Sequence, residues 1–159
     1  MKSNKFYTVD EVLLLMEHYC AYQDRCHKEI EQKLIDYKMI PAAQEKIILH
    51  LINQNYLNEE RFAKNYARGK FNSKHWGRIK IKAALKQRNI SDYNINIAFK
   101  EIDIDEYYTV LSIEMEKKLG VLKERDEWKR KKKVIDYLLQ KGFEYHLIEQ
   151  CWNDLEHNT

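Results

Sequence analysis

The sequence predicts an all-α fold of three tandem three-helix repeats, arranged as an elongated, curved array. Three observations point there. Gly and Pro are scarce, 4 and 1 in 159 residues, which suits helices better than a sandwich of short, sharply turned strands. Apolar residues recur at i, i+3 and i+4 along the chain, with no strand-like alternation long enough to compete. One apolar pair also recurs as Ile30/Leu34, Ile81/Leu85 and Val134/Leu138, first 51 and then 53 residues apart, the mark of a repeated unit.

Taken in order, the first helix is anchored by Val12, Leu15, Met16 and Tyr19, and Thr8 followed by Glu11 has the spacing of a capping box. Ile30 and Leu34 mark the second helix. Ile47, Ile48, Leu51 and Ile52 mark the third, after Pro41. The polar spacer Asn53–Asn58 closes the first unit. Asn58 before Glu59 and Glu60 starts the next helix, whose acidic first turn complements the helix dipole; Phe62 and Tyr66 are its apolar face. Asn72–Ser73 and Gly77 are read as interruptions, placing Arg68, Lys70 and Lys74 in a loop region. Ile81/Leu85 then leads at fixed offsets to Ile90 and Ile95, with Ser91–Asp92 as a helix start, and Ala98 and Phe99 complete that face. Val134/Leu138 leads at the same offsets to Phe143 and Ile148, followed by Cys151 and Trp152. Asn89 and Gly142 stand where a left-handed helix cap is needed. The first copy is looser: Leu34, Ile40 and Ile47 imply about two inserted residues. Gly120 is read as a further break. The units run 1–55, 56–102 and 103–159.

Charge is laid out in blocks. The formal net charge is +3, but residues 1–60 carry −3, 61–90 carry +10, 91–127 carry −5, 128–133 carry +5 and 134–159 carry −4. The segment Arg61–Asn89 holds ten Lys or Arg and no acid, with Phe62, Tyr66, Phe71 and Trp76 among the charges. A dense cationic run interleaved with aromatics is the footprint of a surface for a polyanion, most often nucleic acid, and segregated sign favours oriented association. The competing reading is a solvated helix face.

Other classes find less support. A chain 44% hydrophobic with 11 Tyr is too apolar for disorder, despite a mean hydropathy of −0.72. No apolar run approaches a transmembrane length, and no leader pattern is present. Three cysteines without a CxxC pair read as reduced thiols, which points to the cytoplasm. No phosphate loop, dinucleotide fingerprint or nucleophile elbow occurs, and none of the six His pairs with Cys or His at zinc spacing. Glu59-Glu60 reads as a solvated helix start and Asp103/Asp105/Glu106 as an acidic connector. The sequence therefore offers no catalytic residue, cofactor or metal site.

Within the basic block, Arg78, Lys82 and Lys86 repeat at i,i+4 as a stripe beside the Ile81/Leu85 seam, able to track a phosphate backbone. Arg68, Lys70 and Lys74 could converge on it, and Lys80 and Arg88 are further candidates for the same binding surface. Trp76 either stacks on a base, worth roughly 1–3 kcal/mol, or closes the core of its repeat. Lys129, Arg130, Lys132 and Lys133, in the run Lys129–Lys133, form a second patch or a solvated helix turn; Lys133 stands in the position of Lys80.

These residues resemble a known family, the RecX regulatory proteins. Residues 77–90 are similar to its pattern G-x-x-R-I-x-x-x-L-x-x-K-G-I, with Lys80 and Asn89 in place of Arg and Gly. Residues 56–63 resemble its [YF]-L-[DN]-[DE]-x-x-[FY]-[AV] segment, with Asn55 where a Gly precedes. Residues 133–143 resemble K-x-x-x-x-L-x-x-[KR]-G-F, and Glu29–Leu34 resembles E-L-x-x-K-L. Gln23 and Cys26 depart from the usual Arg and Ser, which weakens a helix cap. The resemblance covers most of residues 20–152. It implies a non-enzymatic, cytoplasmic protein, expected to be a monomer, that lies along the groove of the RecA–DNA filament. There it would inhibit ATP hydrolysis and strand exchange while binding single- and double-stranded DNA weakly and without sequence preference. The alternative from the residues alone is an autonomous helix-turn-helix-like DNA-binding protein or transcriptional regulator.

Overall fold

The computed structural model describes residues 5–158; residues 1–4 and 159, which fall in the expected first and third units, lie outside that range. Among the described residues there are nine helices and no strand: α1 (Val9–Tyr22), α2 (His27–Asp36), α3 (Pro41–Asn53), α4 (Glu59–Lys74), α5 (Arg78–Gln87), α6 (Asp92–Phe99), α7 (Ile104–Val121), α8 (Glu127–Gln140) and α9 (Tyr145–His157). The fold is an all-α helical repeat. The helices pack in threes: α1 and α2 on α3, then α4, α5 and α6 on one another, then α7, α8 and α9.

The starts of the helices follow their caps. Thr8 and Glu11 form the reciprocal capping box on α1, at 3.1 and 3.2 Å. Asn58 caps α4 by accepting from the Arg61 N–H at 2.9 Å, and Ser91 caps α6 by accepting from Asn94 at 3.2 Å. Each satisfies an N–H that the helix itself leaves unpaired.

The ends of the second helices show why the units are equivalent. Lys38, Asn89 and Gly142 all have positive φ, at 58°, 59° and 95°. Immediately after each, a main-chain N–H returns to the leucine of the repeated pair: Met39 to Leu34 at 3.0 Å, Ile90 to Leu85 at 3.1 Å and Phe143 to Leu138 at 3.1 Å. This left-handed closure turns the chain into the third helix. The N-caps of those helices, Ile40, Ser91 and Glu144, each follow two residues later. The expected insertion in the first copy is thus not there. Ile47 matches Ala98 and Cys151, all buried, and Gln44 takes the place of Ile95 and Ile148; a polar residue at that position hid the register.

Other expectations also change. Asn72 and Ser73 do not interrupt a helix: α4 runs to Lys74, and the Ser73 hydroxyl donates to the Gly69 carbonyl one turn back. Arg68, Lys70 and Lys74 are therefore helical residues and not part of a loop. Gly120 lies inside α7, and the acidic stretch at Asp103 is the start of that helix, with the Asp103 carboxylate accepting from the Glu106 N–H at 3.1 Å.

The core divides unevenly. Val12, Met16, Ile30, Leu34, Ile47 and Leu51 pack together within the first three helices. The second and third sets share a single core, in which Phe62, Phe71, Ile81 and Leu85 join Tyr107, Leu111, Val134, Leu138 and Phe143. Tyr107 bridges them, its ring stacked on Phe71 at 5.7 Å and tilted against Phe143 at 5.4 Å. The approach is closer than side chains alone would allow. Gly77 N–H donates to the Lys141 carbonyl at 2.7 Å and Ile79 N–H to the Gly142 carbonyl at 2.9 Å. The unpaired carbonyls at the end of α8 thereby satisfy the unpaired N–H groups at the start of α5, with the two helix dipoles head to tail. A Cβ on Gly77 would lie 2.3 Å from the Gly142 carbonyl carbon, so only glycine fits.

Candidate nucleic-acid interface

The basic block of the sequence resolves into residues engaged with acids and residues that are not. On the first half of α4, Arg61 pairs with Asp24 at 2.9 Å and donates to the Asn55 and Tyr56 carbonyls. Lys64 pairs with Glu60 at 3.1 Å and with Glu101 at 3.6 Å, and Arg68 reaches Asn65 and Glu101. These side chains hold the second repeat together and link it to the first.

The second half of α4 faces α5 differently. Lys70 lies 5.6 Å from the Tyr66 ring and 4.9 Å from that of Trp76; Lys80 lies 4.5 Å from Trp76, and Arg88 4.8 Å from Tyr66. The order Arg88, Tyr66, Lys70, Trp76, Lys80 is a ladder of alternating cations and rings. Each contact is worth about 0.5–1 kcal/mol at an exposed site and restricts the long side chains without neutralising them. Trp76 does pack on the shared core while remaining partly open, and its ring is flanked by the two ammonium groups.

The α5 stripe is divided. Arg78 sits at the α5–α9 contact: its guanidinium donates to the Glu144 carboxylate, and its main-chain N–H donates to the Tyr107 hydroxyl at 3.0 Å. Burial works against the Arg78 charge, but the hydrogen bond and charge of Glu144 outweigh it and raise its pKa. Burial, reinforced by the same carboxylate, pushes the Tyr107 pKa up. Lys86 pairs with Asp92, whereas Lys82 is exposed.

At the end of α4, Lys141 donates from Nζ to the Lys74 carbonyl at 2.6 Å. Beside it the Glu114 carboxylate, only 4% exposed, accepts from Tyr137 at 2.8 Å and meets His75 Nδ1 at 2.6 Å. Burial would raise the Glu114 pKa, yet the His75 and Tyr137 hydrogen bonds and the charges of Lys141 and Lys117 lower it; Tyr137 in turn is pushed up to about 12 by burial and by Glu114. Lys117 and Lys141 were missed in the sequence. Lys141 stands inside the K-G-F motif, while nothing local to Lys117 marks it out.

Relative to its leucine, α8 begins one helical turn earlier than α5, so the run Lys129–Lys133 lies within the helix, with Lys133 at the position that Lys80 takes in α5. Lys133 pairs with Glu124 at 3.0 Å and Lys131 with Glu149 at 3.6 Å. Lys129 and Lys132 are exposed, and Arg130 Nε is buried without a hydrogen-bond partner. Arg130 lines a groove of about 630 Å³ with Leu119, Trp128, Lys131 and Trp152. Among the described residues no three His, Cys, Asp or Glu side chains group as a metal site requires. Nor is any helix long and apolar enough to cross a membrane.

Comparison with known proteins places this arrangement. Residues 58–98 match the family model described as RecX, second three-helix domain, and residues 105–152 that described as RecX, third three-helix domain. The regulatory protein RecX of Clostridium perfringens (strain SM101 / Type A) is 31% identical over 137 residues, an overlap covering 84% of this chain and 63% of the relative. That of Streptococcus uberis is 26% identical over 145 residues, covering 89% and 54%. The chain thus spans less than two thirds of these curated relatives. In fold it is similar to the crystal structure of RecX from Lactobacillus salivarius, with a TM-score of 0.85 at 24% identity over 93% of this chain and 96% of that one.

Proposed function

The chain belongs to the RecX family, and on that footing we propose that it regulates the RecA recombinase. It lies in the groove of the RecA–DNA filament as a cytoplasmic monomer, touching both protein and DNA, with 1–55, 56–102 and 103–159 as successive units of an elongated, curved array. It catalyses nothing and takes no cofactor. Its action is occupancy: by bridging successive protomers it hinders the subunit movements of ATP hydrolysis and the uptake of a second strand.

The observation that carries this reading is the basic ladder on the middle repeat, rigidly joined to a third repeat of the same family. A preformed, sequence-neutral cationic track suits a phosphate backbone. The ladder cannot supply much base discrimination, so binding to DNA alone is weak and salt-sensitive. Counting against an autonomous helix-turn-helix regulator is the start of α5, because such a helix reads base edges with its N-terminal residues, and here that first turn is engaged by α8, α9 and Tyr107.

The test adds the purified protein to preformed RecA filaments while following ATP hydrolysis and strand exchange. Both should fall with increasing protein. Rates unchanged at saturation would sink the reading, and a preference of about 10³-fold or more for one duplex site would favour the transcriptional regulator.

A further inference from the structure

Four lysines from four elements meet where the second repeat abuts the third. Lys74 ends α4, Lys80 is in the first turn of α5, Lys117 is on α7 and Lys141 follows α8. Main-chain atoms gather Lys74, Lys80 and Lys141, and Lys117 stands on α7 one turn after Glu114, the carboxylate on which both it and Lys141 act. The paired hydrogen bonds from Gly77 and Ile79 to the Lys141 and Gly142 carbonyls fix α5 against the end of α8. Gly142 is so close to Lys80 that a Cβ on it would lie 2.4 Å from the Lys80 Cβ. Lys141 reaches the last carbonyl of α4 at 2.6 Å.

Glu114 offsets only part of the charge here. Arg61, Lys64, Arg68, Arg78, Lys86, Lys131 and Lys133 all have acidic partners within 4.0 Å. Among the described residues none of the four junction lysines forms such a pair. Burial, together with repulsion from Lys80, Lys117 and Lys74, holds the Lys141 pKa below its ordinary value; Glu114 opposes this but is already engaged by His75 and Tyr137. Like charges held together by backbone geometry repel one another until an anion joins them.

We infer that this junction is a phosphate site, at which Lys74, Lys80, Lys117 and Lys141 take adjacent phosphates of one nucleic-acid strand and so tie the second repeat to the third. The inference deepens the reading above and rests on it for nucleic acid as the source of the phosphates. A strand is favoured over a compact anion because the site does not end at the junction. From Lys80 the ladder continues through Trp76 and Lys70 to Tyr66 and Arg88, a line of charges and rings suited to a chain. The site also differs from the α5 stripe: it excludes Arg78 and Lys86, which are paired, and includes Lys117 and Lys141, which lie outside the basic block.

The test measures binding of a fluorescein-labelled oligothymidylate to the full chain by anisotropy across a sodium chloride series. The variants are Lys80→Ala, Lys117→Ala and Lys141→Gln, with Lys46→Ala, exposed on α3 of the first repeat, for comparison. Each lost phosphate contact should flatten the log–log salt slope by about 0.7 and weaken binding several-fold, while Lys46→Ala leaves the slope unchanged. Lys117 is exposed, so Lys117→Ala keeps the fold and its result stands by itself. The inference is overturned if Lys80→Ala and Lys117→Ala retain the parental slope. It is also overturned if pyrophosphate displaces the oligonucleotide as well as an unlabelled strand does at equal phosphate concentration. RecA hydrolysis followed in parallel separates the two readings. Reduced slopes in a protein that leaves RecA unaffected support the phosphate site and defeat the RecA assignment; strong inhibition with unaltered slopes does the reverse.

Discussion

The junction between the second and third repeats is made of main-chain atoms, whereas that between the first and second is made of side chains. The positions correspond. Cys26 caps α2 where Gly77 caps α5, and Arg88 and Asn89 follow α5 where Lys141 and Gly142 follow α8. At the later junction, helix end meets helix start directly. At the earlier one, Lys28 Nζ reaches across to the Gln87 carbonyl at 2.7 Å, and Glu59 accepts from the His27 N–H at 3.2 Å. Arg61 and Asn65 both reach Asp24. Cys26 carries a side chain where Gly77 has none; that side chain is buried in the core of the following repeats, and the backbones are linked around it by long polar groups. A missing Cβ therefore separates a fused pair of repeats from a tethered one. Tethers of exposed charges are weak, while a buried main-chain contact with a shared aromatic core is not easily opened.

The largest effect should come from Gly77→Ala. The added methyl must push α5 off the α8 carbonyls, costing about 3 kcal/mol in the overpacking range; urea unfolding followed by tryptophan fluorescence would show it. A cost under about 1 kcal/mol would mean that the later junction is as loose as the earlier one.

Tyr107→Phe comes next. It keeps the stacking on Phe71 but leaves the Arg78 N–H and one Glu144 oxygen without their partner, at about 1–3 kcal/mol in the same measurement. Acid should then act on the fused pair before the tethered repeat. The Glu114 pKa is lower folded than its ordinary value of 4.5. Its contribution is thus complete above that pH and lost as pH falls through the depressed folded value. Hydrogen exchange between neutral pH and about pH 3 should show α7 and α8 losing protection, and Glu114→Gln should flatten that dependence.

The smallest effect is expected at the earlier junction. Arg61→Ala removes a half-exposed pair with Asp24 and should cost less than about 1 kcal/mol. It should nevertheless raise exchange in α1–α3 relative to α7–α9. Equal changes in both regions would remove the distinction between the junctions.

What was legible in the sequence was local. The apolar pairs, the caps at Thr8, Asn58 and Ser91, and the left-handed positions at Asn89 and Gly142 each depend on residues within a turn or two. The helix α7 was not legible, because its buried face includes Glu114 and its last turn includes Gly120, both of which mimic a connector. The first repeat was misaligned because Gln44 occupies an apolar position. The basic block was visible as charge, but which cations are free depends on Glu101, Glu144 and Asp92, and the last of these alone lies close in sequence to its partner. The junction lysines come together through carbonyls and N–H groups more than sixty residues apart, and backbone atoms leave no pattern in side chains.

The head-to-tail contact of α8 with α5 has a metrical consequence. A joint closed by peptide groups has a length fixed by the hydrogen bond itself, and surface substitution cannot retune it. A joint closed by lysine and glutamate can lengthen or shorten as rotamers change. The molecule therefore carries a rigid two-unit gauge with an adjustable first unit ahead of it. Laid on any periodic track, the gauge demands one spacing, and the tethered unit absorbs departures from it.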